Sequence, residues 1–98
     1  MVFNQADHQI LEQLFNYSIS DMKPIIGVAR DEKFRSGLND KNGDDLALGL
    51  VIGNIHTSFY AGFKQRNGRT LDSQEIEELF SITFSKIPQL KEAIFQCG

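Results

Sequence analysis

Apolar residues recur along this chain at helical spacing, and nowhere do they alternate over a long run. Ile10, Leu11, Leu14 and Phe15 make one stripe and predict a helix over residues 7–17. Asp7 stands at its start, where a carboxylate can accept from the free amides of the first turn. Ser18-Ile19-Ser20 interrupts the stripe. A second helix begins at Ser20 or Asp21 and carries Pro24 in its first turn, where a missing N–H costs little. It continues through Ile25, Ile26, Val28 and Ala29 to about residues 34–36, with Gly37 beyond its end. Ile25-Ile26-Gly27-Val28 fits a short strand equally well. Residues 37–45, rich in Gly, Asn and Asp, read as a loop, and Asp44 or Asp45 caps the next helix.

The third helix, residues 46–66, is the most apolar, and it ends at Asn67-Gly68. At 100° per residue, Leu48, Ile52, Ile55, Phe59 and Phe63 share a bulky face. Gly49, Gly53, Thr57 and Ala61 form a neighbouring small one. Only Ala47, Asn54, Ser58 and Gln65 form a strip suited to water, so this helix is expected at the centre. The fourth helix starts at Asp72-Ser73-Gln74-Glu75, the spacing of a capping box, with Leu71 and Ile76 placed as a hydrophobic staple. Ile76, Leu79, Phe80, Thr83, Phe84 and Ile87 form its stripe. Pro88 is expected to end or kink it and to open a short fifth helix with Leu90, Ala93, Ile94 and Phe95. The short link between helices three and four makes them antiparallel neighbours. Ile76, Leu79, Phe80 and Phe84 are therefore expected to share one core with Ile52, Ile55, Phe59 and Phe63. The prediction is one all-α domain, an up-down bundle of four helices with the short C-terminal fifth, residues 46–66 central.

Ninety-eight residues fit one domain, and 41% hydrophobic with 23% charged residues is ordinary globular composition. The net charge of −3 argues against a surface built to neutralise phosphates. Cys97 is the only cysteine, which excludes an internal disulfide and Cys-rich metal spacing and points to a reducing, cytoplasmic setting. No signal peptide is visible at the start of the chain. The apolar run at residues 46–63 reads as too short and too polar to span a bilayer.

Four constellations bear on function. Gly49, Gly53, Thr57 and Ala61 invite close approach of another backbone, because glycine within a helix costs about 1 kcal/mol relative to alanine and needs compensation. Either the chain's own first or second helix packs there, or two copies of the third helix cross there in a symmetric dimer. Lys64, Arg66 and Arg69 cluster at the turn before the fourth helix and offer an anion contact, although Asp72 competes for the amides behind them. Residues 40–45 match the opening of a calcium loop at three positions. Asp45 replaces its required Gly and Val51 its bidentate Glu, so no calcium site is expected. Residues 71–95 have the apolar spacing of a helix-turn-helix, but Glu77, Ser81 and Pro88 depart from it. His56 lies between the bulky and small faces without a catalytic partner at recognisable spacing. These features favour a non-catalytic protein–protein interaction module without a cofactor. It is expected to bind itself and a further protein in the cytoplasm. The alternative is a helix-turn-helix-like nucleic-acid regulator using residues 71–95.

Overall fold

Reciprocal caps start two of the three long helices. The computed structural model describes residues 2–38 and 43–97, and these form an all-α bundle. In chain order its helices are α1 Gln5–Ser20, α2 Lys23–Ala29, α3 Glu32–Leu38, α4 Asp44–Asn67 and α5 Ser73–Gln96. Asn4 caps α1: its side chain accepts from the Asp7 amide at 2.8 Å, and the Asp7 carboxylate accepts from the Asn4 amide at 3.3 Å. Asp7 is thus the third residue of the helix and not its cap. Asp72 and Glu75 make the expected box at α5, each accepting from the other's amide at 2.9 Å. α4 has no side-chain cap. It starts at Gly43, whose φ of +80° lies in the left-handed region, so neither Asp44 nor Asp45 is the cap. A Cβ on Gly43 would also collide with the Ala29 carbonyl oxygen, which makes this glycine necessary twice over.

Three helix boundaries differ from the sequence pattern: α1 runs on through Ser18-Ile19-Ser20, the expected break, to Ser20, and two others follow. The predicted second helix is two helices, broken at Arg30-Asp31, with no strand among the described residues. The Asp31 carboxylate accepts from the Lys33 amide at 2.9 Å, offering the backbone an alternative to continued helix. α5 runs unbroken through Pro88, so the predicted fourth and fifth helices are one. Buried residues on both sides of the proline, Leu79 and Thr83 before it and Leu90 and Ile94 after it, hold the two halves to the same neighbours.

α1 and α5 run parallel. His8 Nε2 lies 3.2 Å from a Glu78 carboxylate oxygen, and Lys86 pairs with Glu12, in ascending order along both. α4 runs opposite to them: its last turn reaches the start of α1, where Arg66 meets Asp7 at 3.2 Å. The segment before α1 closes that end. Phe3 packs edge-on to Phe59 and Phe63, and the Val2 and Phe3 amides donate to one Glu78 oxygen at 2.8 and 2.9 Å. α2 lies near the start of α4, and Arg30 ties α2 to Asp44 of α4 and to the Ile94 carbonyl of α5.

The core of α4 consists of Ala47, Val51, Ile55, His56, Phe59 and Phe63. Its spacing of four turns the buried line gradually round the helix, from Ala47 near α2 to Phe63 near Phe3. Ala47 is buried and not on the water-facing strip. Ile52 and Ile76 are half-buried. The expected core also fails at Phe80 and Phe84, which are 41% and 63% exposed. α5 has two apolar stripes: Leu79, Thr83, Leu90 and Ile94 face inward, and the phenylalanines lie on the outward one.

An uncovered apolar face on the central helix

α4 is covered on one side only. α1 and α5 pack along it, α2 covers part of its first half, and no described residue lies over the remaining side. Gly49, Gly53, Thr57 and Ala61 are all on that open side and all exposed. Nothing lies within 4 Å of where a Cβ would stand on Gly49 or Gly53. The small face therefore does not serve packing of α1 or α2 within the described chain.

Larger apolar groups border it. Pro24, Ile25 and Val28 of α2 and Leu50 of α4 form, with Gly49, Gly53 and Thr57, an open hollow of about 630 Å³. Thr57 also belongs to a second hollow of about 420 Å³, whose other walls include Tyr60, Ala61, Lys64, Leu71 and Ile76. Leu71 and Ile76, the expected staple pair, thus line one wall together. Towards α5 the surface continues through aromatic rings. His56 meets Tyr60 at 6.2 Å and Phe80 at 5.1 Å between centroids, and Phe80 meets Phe84 at 6.2 Å. Residues 46–63 contain no Asp, Glu, Lys or Arg, so this side of α4 is uncharged over about five turns.

His56 anchors the rim of the face. Its Nε2 lies 2.8 Å from the Thr83 hydroxyl oxygen, and that hydroxyl donates to the Leu79 carbonyl at 2.8 Å. One hydroxyl proton serves one acceptor, so Nε2 must carry the proton that Thr83 accepts. Burial lowers the His56 pKa from its ordinary value and so favours the neutral ring. In this arrangement His56 joins α4 to α5. Its hydrogen bond lies wholly within the core.

The basic cluster is dispersed by internal pairing. Arg66 donates to the buried Asp7 carboxylate at 3.2 Å. Arg69 grips Glu75 with two hydrogen bonds of 2.7 and 3.0 Å and stacks 5.1 Å over Phe63. Its guanidinium holds the Glu75 carboxyl below the usual carboxylate range. Lys64 stands apart at the edge of the second hollow. Ser81 lies inside continuous helix, where a helix-turn-helix needs its turn. Of the calcium-loop residues, Asp40, Lys41 and Asn42 lie outside the described residues, and Asp44 and Asp45 form the first turn of α4. Among the described residues, no three His, Cys, Asp or Glu side chains gather to hold a metal ion.

The sequence pattern locates the small face but not its extent. α4 is also longer than the apolar run it contains: at 24 residues it is long and apolar enough to cross a bilayer by length and composition. The core helix of a bundle passes the same test. Only 33% of its most apolar stretch is buried within the chain, however, so its open side needs an explanation. Among known protein families, curated proteins and solved structures, none matches this chain.

Proposed function

We propose that the chain is a small protein–protein interaction module that self-associates through the open side of α4. The observation that carries this reading is the uncovered, uncharged surface around Gly49, Gly53 and Thr57, continuous with exposed apolar groups of α2 and α5. A contiguous apolar patch rimmed by polar residues marks an interaction site far more often than a free surface. Tyr60, Phe80 and Phe84 are the kind of rigid aromatic groups that anchor such contacts. The reading needs binding alone: His56 is occupied by Thr83, and the guanidinium groups of Arg66 and Arg69 by carboxylates. The lone thiol at Cys97 fits a cytoplasmic setting.

Sedimentation velocity over a concentration series is the test. The expected result is a species of twice the 11.1 kDa chain mass at micromolar concentration. A chain that stays monomeric at several hundred micromolar overturns the proposal.

A further inference from the structure

We propose that His8 and Glu78 make the segment before α1 a proton-responsive strap, closed more tightly over the end of the bundle when His8 is charged. The strap is Val2 and Phe3. Both of its amides donate to one oxygen of Glu78, at 2.8 and 2.9 Å. Phe3 is buried against Phe59 and Phe63 of α4, and its ring also meets that of His8 at 6.2 Å between centroids. Asn4, extended as the cap of α1, is the joint between strap and helix. One carboxylate on α5 therefore decides whether the strap lies down.

The other oxygen of that carboxylate has no donor. Glu78 Oε1 lies 3.2 Å from His8 Nε2, both atoms are buried, and neither has a hydrogen-bond partner among the described residues. A buried carboxylate oxygen without a donor favours a side chain turned out to water, and that turn lets both amides go. A neutral imidazole carries one N–H and leaves Nε2 bare when Nδ1 holds the proton. The charged ring carries a proton on both nitrogens, so Nε2 then faces Oε1 as a donor and as an opposite charge. Protons reach the ring from solvent, since the His8 side chain is 30% exposed. The charged neighbours on the three long helices are already matched or in water. Asp7 of α1 accepts from Arg66 of α4, Glu75 of α5 from Arg69, and Glu12 of α1 from Lys86 of α5, while Glu77 is exposed. Charge gained at His8 therefore acts on Glu78. His56 has no such carboxylate beside it, because its partner is the Thr83 hydroxyl.

Hydrogen exchange at the Phe3 amide reads the strap, because its protection measures the ratio of closed to open states. Rates are taken by NMR at about pH 7.5 and about pH 5.5, each corrected for the intrinsic rate; histidine changes charge across this interval and ordinary carboxylates do not. Protection in the wild type should rise roughly two- to fivefold at the lower pH, the size expected of a partly exposed ion pair. His8→Gln should lose the rise. It keeps His56, so titration of that ring does not account for the difference. His8→Arg, charged at both pH values, should show equal protection at both. A wild type whose Phe3 protection stays level or falls, or a rise that survives in His8→Gln, overturns the inference. If His8→Gln loses helicity by circular dichroism, Glu78→Gln takes its place. Its neutral amide removes the charge that His8 attracts, and a rise that survives there overturns the inference equally.

Discussion

Thr83 has one hydroxyl proton, and its donation to Leu79 fixes the tautomer of His56. Acid sensitivity just below neutral pH follows from the burial of the same ring. Burial lowers the folded pKa of His56, so below its ordinary value of about 6.5 the unfolded chain binds more protons than the folded one. The stabilisation is fully present above that pH, declines as pH falls through the interval, and levels off below the folded pKa. Urea unfolding at stepped pH should show this decline in the wild type and a smaller one in His56→Gln. A wild-type midpoint unchanged between pH 7.5 and 5 would contradict it. Glu75 adds a second loss lower down. Its carboxyl, held low by Arg69, must be protonated as pH falls below the usual carboxylate range. A backbone counterpart is Gly43, where a side chain meets both a left-handed φ and the Ala29 carbonyl. Gly68 shares the left-handed φ, at +70°, in open space. Gly43→Ala should therefore cost clearly more than Gly68→Ala, for which about 1–2 kcal/mol is expected from the backbone alone. Equal losses in denaturation would mean the Ala29 contact relaxes freely. Local chemistry of this kind is partly legible in sequence: the Asp72–Glu75 box is a spacing. The Asn4–Asp7 box has the same spacing, which a reading of Asp7 alone as the cap passes over. No spacing reveals the Thr83 partner of His56, because it arrives from another helix.

α5 shows what periodicity leaves open. Leu79 and Phe80 are adjacent, both large and both apolar, and a helical stripe wide enough for one admits the other. Packing separates them: Leu79 is fully buried and Phe80 is 41% exposed. Leu79→Ala should cost about 2–5 kcal/mol of stability, as buried large-to-small changes do. Phe80→Ala should cost well under half as much in the monomer, measured in urea at a concentration below self-association. Equal losses would place Phe80 in the core after all. The continuation through Pro88 is hidden for a related reason. Proline removes one backbone hydrogen bond and disfavours helix before it, but burial of Leu90 and Ile94 beyond it outweighs that local preference. The break at Arg30-Asp31 goes the other way, since α3 packs mainly on α2 and little beyond it opposes the Asp31 side chain.

For the molecule as a whole, the fold class and the central place of residues 46–66 are legible, because a helix apolar nearly all round has few other roles. Which of its faces the chain itself covers is not, since that depends on how α2 and α5 lean against it. The contacts that close the bundle also set an order of events in the cell. α1 and the segment before it are held through Val2, Phe3, His8 and Glu12 against Glu78 and Lys86, at least 70 residues further along. A ribosome adding about 5–20 residues per second needs several seconds to reach them after α1 emerges. Leu11 and Phe15 of the nascent helix have no partner in α5 during that interval. Chaperones that shield apolar segments during translation would find a longer opportunity at α1 than at α5.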